Sequence, residues 1–131
     1  IQTKISRVVG EIGVPMLAMA AVGDDEYRKP CQGMWSFHEN TLNGGIKINV
    51  PQSKYVGDAA GRPAKGSKKK DFNDTDLKFS LNIGIPFATP EMFFLGQTDS
   101  WPTIPFNPKA LRASGSVFRG QSDNSGMKSG A

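Results

Sequence analysis

The sequence predicts an α/β domain, part of a parallel sheet flanked by helices. Three observations carry that expectation. Helical and extended patterns alternate along most of the chain, as they do where a parallel sheet is crossed by helices. The run VPMLAMAAV (14–22) is almost unbroken in its apolar character, which suits a strand buried on both faces. Glycines and prolines also stand where helices start and stop.

In IQTKISRVVGEIG, Ile1, Ile5, Val8, Val9 and Ile12 share one helical face and Gly13 is a stop. The apolar run follows, then the polar loop GDDEYRKP. CQGMWSFHENTLNGG has a weak helical period that Asn43-Gly44-Gly45 ends. IKINVPQSKYVG reads as extended, with a break at Pro51. DTDLKFSLNIG reads as a helix, with Asp74 as N-cap, Leu77 and Leu81 on one face and Gly84 just past its end. IPFA is a short strand. In TPEMFFLG, Thr89 caps a helix of one or two turns, Pro90 takes its first position, Glu91 faces the dipole and Gly96 ends it. From Gln97 onward regular signals fade. WPTIPFNP reads as an extended packing segment and SDNSGMKSGA as disordered. A doubly wound sheet usually opens with a strand. This chain opens with a helix, and with Ile rather than Met, so the expectation is that its first strands lie in a missing N-terminal part.

The 131 residues suffice for one domain with a modest core. A composition of 37% hydrophobic and 21% charged residues is that of a globular protein, and no window reaches the apolar length of a membrane span. A net charge of +4 and a pI of about 9.3 favour anionic partners. The single cysteine, Cys31, excludes an internal disulfide and fits a reducing compartment. No His/Cys cluster has zinc spacing.

The chemistry is expected at the carboxyl ends of strands, where open α/β sheets bind ligands. Two loops there carry reactive residue types: YRKP (27–30) and VGDAAGR (56–62). Singly, each has a bland reading: a loop lysine is ordinarily solvated, and an Asp after Gly is ordinarily a turn residue or a cap. Together they suit phosphoryl transfer. A carboxylate at one strand tip can hold Mg²⁺, and a lysine at a neighbouring tip can neutralise a phosphate. Ala59, Ala60 and Gly61 also let backbone approach closely. His38 reads as a surface or helix-end residue and Cys31 as a buried packing thiol. Trp35, Phe93, Phe94 and Trp101 read as core, with Trp101 also placed to touch nucleic acid.

YRKPCQGMW, YVGDAAGRPAKGSKKKDFNDTDLKFSLNIGIPFATPEMFFL and PFNPKAL resemble the phosphatase domain of the polynucleotide kinase 3′-phosphatase family, over roughly residues 14 to 108. The resemblance implies a haloacid dehalogenase-like, Rossmann-like α/β fold, a Mg²⁺ cofactor, and removal of 3′-phosphates from broken DNA ends in strand-break repair. It implies that Lys29 holds the phosphate and the nucleophile and that Asp58 binds Mg²⁺. Asp71 and Asp76 would be further catalytic acids, one binding metal water or orienting Lys29. Arg28, Arg62, Lys68, Lys69 and Lys70 would meet the DNA backbone. The stretch KYVGDAAGRPAKGSKKKDFNDTD would then be basic to collect phosphates and acidic at its ends to hold magnesium and lysine.

The family's nucleophile lies in an Asp-x-Asp-Gly-Thr motif, and a Thr or Ser after a second strand binds the phosphate. Neither motif is in this sequence. The only Asp-x-Asp, Asp74 to Asp76, precedes Leu77 and reads as a helix cap. Residues 1–108 therefore read as the C-terminal half of such a domain, and 109–131 as a basic, flexible tail. An upstream segment or a second polypeptide is expected to supply the other half. The family's kinase motif is also absent. The alternative is a catalytically inactive, phosphatase-like subunit that grips nucleic acid, DNA or RNA, in a larger assembly. A repair role implies the nucleus, with the mitochondrion as the alternative, and no membrane.

Overall fold

The structure is a computed structural model and describes residues 1–98. The expectations for Trp101, for PFNPKAL and for the tail lie outside the described residues.

Helix α1 (Gln2–Ile12) forms where the apolar period puts it and ends at Gly13. Its apolar stripe is not buried: Ile5 and Val9 are half-buried, while Ile1, Val8 and Ile12 are exposed. Arg7 and Glu11 pair along its polar side at 2.9 Å.

The segment VPMLAMAAV is extended, but it is not the doubly buried strand that its composition predicts. It makes no ladder with any described residue, and Val14, Met16, Leu17, Met19 and Val22 are exposed. A parallel strand is stable only between partners that take up its N–H and C=O groups and cover its faces. Among the described residues none pairs with its backbone, and its large side chains are only partly covered.

The loop that follows folds back through Asp25 to Gly33, where the Gly33 N–H donates to the Glu26 carbonyl at 3.0 Å. Within it the Lys29–Pro30 peptide is cis. Cys31 lies in this turn and is exposed, not buried. Helix α2 (Gly33–Phe37) runs directly into a π-helical turn, His38–Leu42, which shortens the helix expected over this stretch. A 3₁₀ turn at Val50–Gln52 marks the break at Pro51.

Strand β1 (Tyr55–Val56) pairs in parallel with β2 (Phe87–Ala88), and α3 (Thr75–Ile83) connects them through the crossover a parallel pair requires. Tyr55 stands opposite Phe87 and Val56 opposite Ala88. The Tyr55 N–H donates to the Pro86 carbonyl at 2.8 Å, and the Gly57 N–H to the Ala88 carbonyl at 3.1 Å. Both strands are short, so the core sits between this pair and α3: Ala60, Leu77, Phe79, Ile85 and Ala88 are buried there.

Asp74 is at the N-cap position of α3, but its carboxylate pairs with Lys78 at 2.9 Å, and the Asn73 Oδ1 accepts from the Thr75 N–H and hydroxyl instead. The buried face of α3 is Asp76, Leu77, Phe79 and Ser80, which leaves Leu81 on the outside rather than beside Leu77. Gly84, in the left-handed region at φ 91°, ends the helix as its position predicts.

Helix α4 (Pro90–Leu95) matches its sequence signals throughout. Thr89 Oγ1 accepts from the Met92 N–H at 3.2 Å, Pro90 opens the helix and Gly96 closes it in the left-handed region. Phe93 and Phe94 are not core residues: both are exposed, edge to face with each other, and the Lys54 ammonium stands 5.5 Å from the Phe93 ring. No helix among the described residues is long and apolar enough to cross a membrane.

Candidate active site

The site is organised by the turn that leaves β1. Gly57 follows the strand, and a Cβ placed there would stand 2.5 Å from Asp76 Oδ2 and 2.6 Å from Asp76 Cγ. Only glycine lets the first turn of α3 come this close to the strand end. Asp76 Oδ2 then accepts from the Ala59 N–H at 3.0 Å, and the Asp76 and Leu77 N–H groups donate back to the Ala59 carbonyl.

Asp76 is almost wholly buried, and its other oxygen meets Lys29. The Lys29 Nζ donates to Asp76 Oδ1 at 2.5 Å and to Tyr55 Oη at 3.0 Å, and Tyr55 Oη donates to Asp76 Oδ1 at 3.0 Å. Burial alone would push the carboxyl up. The hydrogen bonds from Lys29 and Ala59 and the ammonium charge outweigh that, and hold Asp76 below the usual carboxylate range. Burial would also push the lysine down, but Asp76 and Tyr55 together raise it, so Lys29 is charged at neutral pH. Lys29 sits in its loop by way of α3 as well. The Gln32 Nε2 donates to the Asn82 carbonyl at 2.7 Å, and the Asn82 Nδ2 donates to the Pro30 carbonyl at 2.9 Å.

Asp71 is held separately. Its Oδ2 accepts from the Ala60 N–H, the Arg62 N–H and the Arg62 Nε, the last at 2.8 Å. Burial opposes its charge, and the Arg62 hydrogen bonds and guanidinium outweigh that, so Asp71 also lies below the usual range. The same guanidinium reaches Glu91 of α4 at 3.1 Å and the Asp58 carbonyl at 3.3 Å. Arg62 is therefore a clasp between the turn after β1 and α4, with a side chain only 17% exposed.

The two acids that sequence reasoning left interchangeable are thus distinct: Asp76 orients Lys29, and Asp71 is paired with Arg62. Asp58 is different from both. It projects from the tip of β1, exposed, and no cation among the described residues lies within ion-pair distance of its carboxylate. Mg²⁺ takes oxygen ligands, keeps several waters and is commonly held by one or two carboxylates plus substrate phosphate. Asp58 fits as one such ligand, whereas Asp71 and Asp76 are already neutralised by protein cations. Among the described residues no three metal-ligating side chains cluster, so this stretch does not form a metal cage by itself.

Arg28 and Lys29 line one cavity of about 720 Å³ with Trp35, His38, Tyr55 and Asn73. Arg28 is exposed there, 3.8 Å from Asp24, and the His38 Nδ1 is buried with no hydrogen-bond partner among the described residues. Lys68, Lys69 and Lys70 lie elsewhere, exposed along a two-residue hairpin in which Lys65 and Lys68 exchange backbone hydrogen bonds at 3.1 Å. Sequence reasoning missed Tyr55. The available signal was the period of two in YVG, which puts Tyr55 on the same face as Gly57, the residue against Asp76.

The family model described as polynucleotide kinase 3 phosphatase matches residues 1–94. A bifunctional polynucleotide phosphatase/kinase of Schizosaccharomyces pombe is 44% identical over 109 residues, which is 82% of this chain and 25% of that protein. The polynucleotide 3′-phosphatase ZDP of Arabidopsis thaliana is 37% identical over 113 residues, 76% of this chain and 15% of that protein. A polynucleotide 3′-phosphatase of Saccharomyces cerevisiae is 37% identical over 79 residues, 55% of this chain and 31% of that protein. The chain thus spans less than a third of each of these relatives.

Proposed function

The chain belongs to the polynucleotide kinase 3 phosphatase family, and we propose that it carries the second half of the active site of a magnesium-dependent polynucleotide 3′-phosphatase acting on broken DNA ends. One observation carries this reading. Lys29 is held charged by Asp76 near the end of β1, and the Asp58 carboxylate that follows that strand is exposed and has no cation among the described residues. Phosphoryl transfer asks a protein mainly for position and charge neutralisation, and a fixed ammonium together with a carboxylate open to a metal would supply both. Magnesium, when bound through Asp58, would neutralise charge on the phosphate oxygens. Lys29 would hold the phosphate by hydrogen bond and charge, and the lysines of the hairpin would follow backbone phosphates. The sequence holds no Asp-x-Asp-Gly-Thr, so the aspartyl nucleophile comes from an upstream segment or a second polypeptide. Its place of action would be the nucleus or, alternatively, the mitochondrion.

The test is inorganic phosphate release from a 3′-phosphorylated oligonucleotide by the full-length protein that contains this chain. Release in Mg²⁺ and none in excess chelator is the expected result, with a loss of about 100-fold or more in Lys29→Met and in Asp58→Asn. Asp58→Asn is expected to keep the wild-type melting transition. Salt-sensitive oligonucleotide binding without phosphate release would overturn the enzymatic reading and leave an inactive, phosphatase-like nucleic-acid-binding subunit.

A further inference from the structure

We propose that Tyr55 is a positioning residue for Lys29, its hydroxyl fixing the direction of the ammonium N–H that no described residue takes up. The proposal rests on the reading of Lys29 as the phosphate-holding group.

An ammonium on a four-carbon stem can rotate about its last bond and swing around a single carboxylate oxygen. Here it meets a closed triangle. Lys29 Nζ, Tyr55 Oη and Asp76 Oδ1 are joined by contacts of 2.5, 3.0 and 3.0 Å. Two of the three ammonium donors are used in it, one on Asp76 and one on Tyr55. With two donors fixed, tetrahedral geometry fixes the third.

Tyr55 can impose that direction because it is held at both backbone and ring. Its backbone N–H is in the β1–β2 ladder. Its ring stands edge-on to Phe79 at 5.2 Å and is stacked with Phe87 at 6.2 Å and 19°. The aromatic packing and the hydroxyl are separable. Phenylalanine or methionine would keep apolar bulk between Phe79 and Phe87 and remove only the third corner of the triangle.

The removal has a readout that ring packing does not predict. The titratable and charged groups around Lys29 are Asp76 from α3, Tyr55 from β1 and, lining the same cavity, Arg28 and His38. Asp76 and Tyr55 both favour the charged lysine against its burial. Loss of the hydroxyl removes one of them, so Lys29 gives up its proton at lower pH.

In the full-length protein, Tyr55→Phe and Tyr55→Met are both expected to lower kcat for 3′-phosphate release about 10-fold. KM for the oligonucleotide should change less than about 2-fold, and the alkaline limb of the pH profile should move to lower pH. NMR titration of the Lys29 side chain, assigned with Lys29→Arg, should show the same downward move of its midpoint. Wild-type kcat and an unmoved alkaline limb in both variants would overturn the proposal. If the wild-type protein releases no 3′-phosphate, the functional reading fails, and the NMR midpoint alone decides. A lowered midpoint then supports the hold of Tyr55 on Lys29, and an unchanged one overturns it.

Discussion

Lys29 Nζ stands 2.5 Å from Asp76 Oδ1 across 47 residues of chain, and both ends of that contact are anchored to the same helix. Asp76 is in the first turn of α3. The loop that carries Lys29 is latched to the end of α3 through Gln32 and Asn82. The described sheet is only two residues long in register, so α3, together with Tyr55 of β1, sets the place of the lysine relative to the tip of β1.

Asp76→Asn is therefore expected to destabilise the fold and to free Lys29. Removing one partner of a fully buried pair costs about 3–5 kcal/mol. The Lys29 side chain is 35% exposed and keeps some water, so the expected cost is smaller, about 1–3 kcal/mol. The pH dependence has a definite sign. The Asp76 carboxyl is depressed in the fold, so its contribution is present above the unfolded value of about 3.9 and is lost as pH falls through the folded one. Lys29 is raised, so its contribution is present below about 10.4 and is lost as pH rises through its folded value. Urea midpoints of wild type and Asp76→Asn should differ by a constant amount near neutral pH and converge in acid. A gap that persists unchanged at pH 2 would contradict the assignment.

Gly57→Ala tests the close approach. The Gly57 backbone is not in the left-handed region, so alanine meets no strain in its dihedrals. Its methyl would instead stand within 2.6 Å of the Asp76 side chain, and Asp76 would have to move. The expected cost is about 1–3 kcal/mol, as for other overpacked sites. On the function proposed above, 3′-phosphate release by the full-length protein should also fall, since the displaced carboxylate no longer holds Lys29. A variant with wild-type kcat would show that the Lys29–Asp76 pair is not needed in this geometry.

Residues 16–22 should exchange their amide hydrogens fast. The segment makes no backbone hydrogen bond with a described residue and its apolar side chains are exposed. Amides 79–83 of α3, bonded within a helix whose inner face is buried, should be protected by comparison. Native-state exchange read by mass spectrometry on this chain separates the two. Strong protection over 16–22 would mean that the segment is paired.

What the sequence made legible follows the range of the interaction. The limits of α4 could be read because Thr89, Pro90 and Gly96 act on backbone groups a few residues away. The run 14–22 could not be read correctly as a buried strand, because an apolar run looks the same whether or not a partner lies beside it. Lys29 and Asp58 were singled out through the resemblance of their motifs. The division of labour between Asp71 and Asp76 was not, since it depends on which cation the fold brings to each. Tyr55 was missed for the same reason: its hydroxyl acquires a role only when Lys29 arrives from 26 residues upstream. Cys31, Phe93 and Phe94 were misplaced because apolar character does not say which side of a short helix or turn faces the core.

The last prediction separates two kinds of positive charge that the sequence presents alike. Arg62 and the lysines 68–70 all lie in one basic stretch, and the resemblance gives all of them to DNA. In the structure the Arg62 guanidinium is engaged with Asp71, Glu91 and the Asp58 carbonyl, whereas Lys68, Lys69 and Lys70 point to solvent. Arg62→Ala leaves the Asp71 carboxylate, 12% exposed, without its cation, and should cost roughly 2–4 kcal/mol after allowance for residual exposure. Arg62→Lys should recover little of it, because an ammonium cannot reproduce the fork that spans Asp71 and Glu91. The triple variant Lys68→Ala, Lys69→Ala, Lys70→Ala should melt like wild type. Its binding to a single-stranded oligonucleotide should lose about 2 units from the slope of log K against log salt, near 0.7 for each phosphate contact given up. Thermal melts and salt-dependent binding of Arg62→Ala and of the triple variant decide the matter. Arg62→Ala with wild-type melting and a reduced salt slope would return Arg62 to the DNA-facing surface and dissolve the distinction.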